Sequence, residues 1–138
     1  MEKRLSTYTF LEEYKQHIEP TLAEIDIFLK TSDYPLDTVR VAYVLDLDEE
    51  EVLSIMAALG QDEIDKSTFI QIMTRGSSRV CHLYAKEVEV GSPHTYTASQ
   101  LSYIYNLNLD DVKNACKKLQ IKEATAFSLP LIFANIPY

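Results

Sequence analysis

Tyr43-Val44-Leu45-Asp46-Leu47-Asp48 stands sixty residues before Tyr103-Ile104-Tyr105-Asn106-Leu107-Asn108, and the correspondence runs on without a gap. Val52 pairs with Val112, Leu59 with Leu119, Glu63 with Glu123 and Ile72 with Ile132. Val41 and Leu101, Ala42 and Ser102, and Glu51 and Asp111 are conservative pairs between these anchors. Toward the N-terminus the match fades, with Ala23 against Leu83 and Phe28 against Val88. An ungapped match over about thirty positions favours one structural unit written twice over a chance alignment of two apolar helical patterns.

Each copy reads as helices. In the first, Ile18, Leu22, Ile25 and Leu29 recur at spacings of three and four, the mark of one buried helical face. Thr31-Ser32-Asp33-Tyr34-Pro35 ends that helix, because a proline disfavours a helical residue before it. A short helix is predicted from about Asp37 to Leu45, and a second from about Glu49 to Leu59 that buries Val52, Ile55, Met56 and Leu59. Asp48 is the expected N-cap, with Glu51 completing an acidic capping box, and Gly60 the expected stop. Asp65 or Ser67 opens a further helix carrying Phe69, Ile70, Ile72 and Met73.

The second copy repeats the plan. Val80, Leu83, Tyr84 and Val88 form its first face, which Gly91-Ser92-Pro93 breaks. A strand over Glu87, Glu89 and Val90 is the alternative by alternation. Thr97 caps a helix to Tyr105, and Asn108 caps one that buries Val112, Ala115, Cys116 and Leu119. Pro130 is suited to the first turn of a last helix, where its missing N–H does no harm.

The middle of each copy resembles the helix-turn-helix family of DNA-binding domains, in which two short helices bury one face against a third. The apolar places are Val41, Leu45, Leu47, Val52 and Ile55 in the first copy, with Ala42 as the small residue. In the second they are Leu101, Tyr105, Leu107, Val112 and Ala115, with Ser102 small. The turn position, usually glycine in the family, is Asp46 or Asn106, types that tolerate the left-handed conformation. The match covers about twenty residues per copy. One departure is the pair of large apolar groups, Tyr43-Val44 and Tyr103-Ile104, on outer positions the family usually keeps polar. That departure implies a covered surface.

Composition bounds the function. The 138 residues are 46% hydrophobic and 25% charged, which argues against disorder throughout, a collagen and a disulfide scaffold. Three glycines and five prolines leave little turn chemistry for an all-β chain of many hairpins. Thirteen basic and 21 acidic residues give a net charge of −8, which excludes a uniformly basic nucleic-acid binder. Residues 1–75 hold seven basic and sixteen acidic side chains, and residues 76–138 six and five, so the imbalance is confined to the first copy. Asp48, Glu49, Glu50 and Glu51 open its second helix, where a DNA reader meets phosphates and bases, and would repel the duplex. Lys113, Asn114, Lys117 and Lys118 along the second copy's equivalent helix are the candidate nucleic-acid contacts. The same lysines, with Asp110 and Asp111 in the first turn, also fit the ordinary macrodipole pattern of a solvated helix.

No metal-ligand spacing joins His17, His82, His94, Cys81 and Cys116, and no nucleophile elbow or phosphate loop occurs. No catalytic residue, cofactor or metal is therefore expected. Asp46-Leu47-Asp48 echoes a calcium loop, but Glu51 takes the place of its turn glycine. MEKRLSTYTF is followed by no signal-type apolar run, and no window approaches the ~18 apolar residues of a span. Two cysteines in apolar helical patterns point to a reduced, cytoplasmic protein, with a Cys81–Cys116 bridge left open.

These readings combine into an expectation. The chain is an all-α protein of two pseudo-repeated helix-turn-helix-like bundles, residues 1–75 and 76–138, packed as one compact unit. It is expected to be a non-enzymatic intracellular regulatory or adaptor module that binds a protein partner, without membrane contact. The alternative is a DNA-binding transcription regulator that uses the second copy only. Tyr43, Tyr103, Ile104, Leu131, Phe133 and Ile136 are the candidate protein-interaction surface. The apolar groups between Phe127 and Ile136 are too many for a free tail, so that segment is expected to pack back on the first copy or to form a homodimer.

Overall fold

A computed structural model describes residues 8–91 and 94–138. Regular structure among them is helical: α1 (Phe10–Glu13), a π-helical turn (Tyr14–Ile18), α2 (Glu19–Thr31), α3 (Thr38–Leu45), α4 (Glu49–Leu59), α5 (Lys66–Arg75), α6 (Arg79–Val90), α7 (Ala98–Tyr105), α8 (Leu109–Leu119) and α9 (Leu129–Phe133). Backbone pairing of the β type is confined, among the described residues, to isolated bridges joining Thr9 to Pro137, Leu36 to Ile64 and Tyr96 to Ala124. The protein is all-α. No helix is long and apolar enough to cross a membrane among the described residues. Glu87, Glu89 and Val90 lie in α6, so the strand alternative falls. Ser92 and Pro93 of the expected break, and Met1–Thr7 of the N-terminal stretch, lie outside the described residues.

Side-chain caps fix the N-termini of α3, α5, α7 and α8. Asp37 accepts from the Arg40 N–H at 3.1 Å, and Asp65 from the Thr68 N–H at 2.7 Å. Thr97 and Gln100 form a reciprocal capping box. Asn108 accepts from the Asp111 N–H at 3.1 Å. Asp48 stands at the N-cap of α4 but makes no side-chain cap bond. Its expected box partner Glu51 is engaged elsewhere, accepting from the Ser77 N–H and the Ser77 hydroxyl at 2.8 Å each. That carboxylate satisfies a backbone donor that the reversal after α5 leaves outside any helix.

Asp46 (φ 56°, ψ 48°) and Asn106 (φ 55°, ψ 53°) are left-handed, as their place in the turn requires. Leu47 donates to the Ala42 carbonyl at 2.8 Å and Leu107 to the Ser102 carbonyl at 3.0 Å, closing both turns alike. Gly60 and Gln120 end α4 and α8 in the same left-handed region, at φ 70° and 58°. Only the first is relieved by the absence of a Cβ.

The residues fall into two compact units. One is Glu19–Glu89; the other joins the chain up to Ile18 with Val90–Tyr138. The contact pattern therefore does not break at Arg75/Gly76. Gly76 has no room for a side chain: a Cβ there would stand 2.6 Å from the Cys81 Sγ and 2.9 Å from a Leu47 methyl. With Ser77 held by Glu51 and the Ser78 hydroxyl donating to the Leu45 carbonyl at 2.6 Å, residues 76–78 are a packed corner and no linker.

In Glu19–Glu89, α2 packs on α3, α3 on α4 and α4 on α5. Its core is built from Ile25, Phe28, Leu36, Val41, Leu45, Val52, Met56, Ile64, Phe69, Ile72, Met73, Val80 and Cys81. Leu22 and Leu29 sit at its edge. The α6 face is shorter than the sequence suggests, for Val88 is exposed.

The other unit is centred on aromatic rings. Phe133 lies 4.8 Å from Phe10 (edge-on), 5.0 Å from Tyr105 and 5.3 Å from Tyr14, centroid to centroid. Backbone bonds from Phe10 to the Ile136 carbonyl (2.9 Å) and from Tyr138 to the Tyr8 carbonyl (3.1 Å) tie the two ends of the chain together. In this unit α7 packs on α8, α8 on α9 and α9 on α1.

Candidate functional site

Exposure sorts the sequence-derived surface residues into two groups. Tyr43, Tyr103 and Leu131 are exposed, Tyr43 by 73%. Ile104, Phe133 and Ile136 are buried to 2% exposure or less and form no surface. The correction has a plain cause: Phe133 is enclosed by Phe10, Tyr14 and Tyr105, and the carbonyl of Ile136 is bonded by Phe10. The expectation that this segment packs back on residues 1–75 holds for Phe133, which meets Phe10 and Tyr14 there, whereas Phe127 is exposed.

Lys113, Asn114, Lys117 and Lys118 are all exposed on α8. Val112 and Ala115 are buried on its opposite face, so the helix is divided into a core stripe and a basic stripe. Asp110 and Asp111 occupy the first turn. In α4 that turn holds Glu49, Glu50 and Glu51. Asymmetry of charge follows the compact units: Glu19–Glu89 carries fifteen acidic and six basic residues, and the remainder of the chain six and seven.

Within Glu19–Glu89, α2 and α3 flank an open trough made of two adjoining hollows. The first, about 360 Å³, is lined by Ile27, Phe28 and Thr31 from α2 and Arg40 from α3. The second, about 400 Å³, is lined by Thr21, Ala42, Asp46 and Leu47. Glu24, Tyr43 and Val44 belong to both. The Arg40 guanidinium carbon lies 5.4 Å from the Phe28 ring centroid, a cation–π placement. Ile27 (60% exposed) and Tyr43 stand on its two walls, and Val39 (57% exposed) precedes Tyr43 by one turn of α3.

Ile27 and Val39 were missed in the sequence. Their signal was a phase error: each is a β-branched apolar residue outside the stripe made by Ile25 and Phe28, or by Val41 and Leu45. Periodicity rewards residues that keep the stripe and passes over those that break it.

No group of three or more His, Cys, Asp or Glu side chains is placed to hold a metal among the described residues. Cys81 and Cys116 are free thiols, both pushed above the usual range by burial. Such thiols are poor nucleophiles. The Tyr8 hydroxyl donates to Glu13 at 2.8 Å, and that bond to a carboxylate raises the phenol's pKa. No family model, curated protein or solved structure matches the chain.

Proposed function

We propose that the protein is a non-enzymatic regulatory or adaptor module of the cytoplasm that binds a protein partner through its helix-turn-helix-like units. The observation that carries this reading is the α2–α3 trough, where Ile27 and Tyr43 are left exposed on a unit otherwise rich in charge. Exposed apolar side chains that cluster are a mark of recognition surfaces, whereas scattered ones are ordinary. Tyrosine supports the same reading, because it buries a large face while its hydroxyl stays wet. Correspondence of α3–α4 with α7–α8 at an offset of sixty supports a tandem duplication.

A transcription regulator using α8 is the second reading, favoured by the exposed row of Lys113, Asn114, Lys117 and Lys118 in the unit without excess acid. Two measurements separate them. Affinity capture from lysate, with nucleic acid digested or retained, yields the same protein partner in both arms if the first reading holds. Fluorescence anisotropy with generic duplex DNA at low salt shows no binding on that reading. Binding that falls steeply with salt and vanishes on Lys117→Glu with Lys118→Glu refutes it in favour of DNA. Sedimentation distinguishes the case in which the partner is a second copy, a homodimer.

A further inference from the structure

The trough has a length, a polarity and a charge, and together they describe an occupant. Its α2 wall runs from Thr21 to Thr31, about 15 Å at helical rise, or some three turns. Grooves of that length between two helices take an amphipathic helix whose anchors recur at i, i+3 or i+4, and i+7. Ile27 and Tyr43 provide the apolar walls. Acid is at both the middle and one end, as Glu24 borders both hollows and Asp46 the second. Of the basic groups nearby, Lys30 is paired with Asp26 at 2.9 Å, while Arg40 lies over Phe28 and keeps its charge at the end of the trough away from Asp46. Around the trough the unit carries fifteen acidic against six basic residues.

We infer that the α2–α3 trough docks a basic amphipathic helix of a partner protein, a statement that rests on the protein-binding reading above. Apolar anchors of that helix lie between Ile27 and Tyr43, and its flanking Lys or Arg side chains face Glu24 and Asp46. Electrostatic complementarity of this kind selects the partner and speeds encounter, while the apolar anchors hold it.

The test uses the full chain and two fluorescein-labelled 14-residue peptides with leucine at helical spacing, one with lysine and one with glutamate at the remaining positions. The lysine peptide is expected to bind, the glutamate peptide at least about tenfold more weakly, and the lysine complex to weaken about tenfold between low and high salt. The decisive variant is Ile27→Asp with Tyr43→Asp. Both residues are exposed, so the fold is retained, as a melting curve checks. Two added carboxylates strengthen any unspecific attraction for a cationic peptide, so a tenfold loss of affinity in this variant can come only from the apolar seat. Equal or tighter binding by the variant overturns the proposal, and so does binding of neither peptide or of both alike. A dimer that the same variant dissociates also overturns it, assigning the trough to a second copy. If lysate capture persists in the variant, the protein-binding reading stands and the trough alone is refuted.

Discussion

Phe133→Ala and Leu131→Ala, two apolar truncations within one turn of α9, are expected to differ by several kcal/mol. Phe133 is 1% exposed and its ring meets those of Phe10, Tyr14 and Tyr105 at 4.8, 5.3 and 5.0 Å. Emptying such a site removes the transfer free energy of the ring and leaves a cavity, about 3–5 kcal/mol for Phe→Ala. The edge-on and tilted ring pairs are already part of that figure, since each is worth only about 0.5–1.5 kcal/mol. Leu131 is 58% exposed and should change stability by no more than about 0.5 kcal/mol. In a unit this small, 1 kcal/mol moves the midpoint by about 4–8 °C, so Phe133→Ala should lower Tm by roughly 12–40 °C. Urea unfolding followed by far-UV circular dichroism measures both variants, with near-UV tyrosine signals reporting loss of the ring cluster, as the chain has no Trp. Equal costs for the two variants, or a cost for Phe133→Ala below about 1 kcal/mol, would refute the enclosure of the C-terminal segment by the N-terminal rings.

Gln120 adopts φ 58° without the freedom of glycine, so Gln120→Gly should stabilise by about 0.5–1 kcal/mol, the left-handed penalty less the added unfolded-state entropy. A lower Tm for that variant would show that the Gln120 side chain makes up the difference. Gly76→Ala should cost about 1–3 kcal/mol through the Cys81 and Leu47 contacts, and adding Cys81→Ala should recover part of it; additive losses would refute the contact. The Thr68 N–H holds the Asp65 carboxyl below its usual range. A carboxyl depressed in the folded state contributes stability that is present above its unfolded pKa, near 4, and lost as pH falls through the folded value. Wild type should therefore lose an increment of Tm at acid pH that Asp65→Asn lacks, and parallel Tm–pH curves would contradict this.

The α3–α4 and α7–α8 segments were legible because their information is local. A cap, an apolar stripe and a residue tolerant of the left-handed turn all lie within about twenty positions; Asp46, Thr97, Asn106 and Asn108 each sit where the pattern put them, and Asp37, expected as the first residue of α3, is its N-cap. Glu51 was misread for the opposite reason. Its partner Ser77 is 26 residues away, and a capping box is only the nearest of the bonds a carboxylate can make. The division of the chain was hidden likewise, since it depends on Phe10 and Tyr14 meeting Phe133 across nearly the whole sequence. Aromatic residues advertise burial but not the partner. The trough escaped because Ile27, on its α2 wall, falls outside the apolar stripe of that helix.

Comparison of α4 with α8 separates what the helix needs from what its surface carries. Val52 and Val112 are both fully buried at corresponding places. Positions facing solvent have diverged: Leu53, Ser54, Ala57 and Ala58 stand where α8 has Lys113, Asn114, Lys117 and Lys118, and all eight are exposed. If the fold is indifferent to that face, Leu53→Lys, Ala57→Lys and Ala58→Lys together should keep stability within about 1 kcal/mol of wild type. Lost partial burial of Leu53 and the repulsion of lysines four apart oppose stability, each by a few tenths of a kcal/mol. The strongly acidic first turn, Glu49–Glu51, favours cations further along the helix and offsets part of this. A loss above about 2 kcal/mol in urea unfolding would mean that the α4 face is packed against something, and that the charge on α8 reflects a structural difference between the two segments. An unchanged fold would instead make the basic row on α8 a property of its surface alone, free to have been shaped by whatever that surface meets.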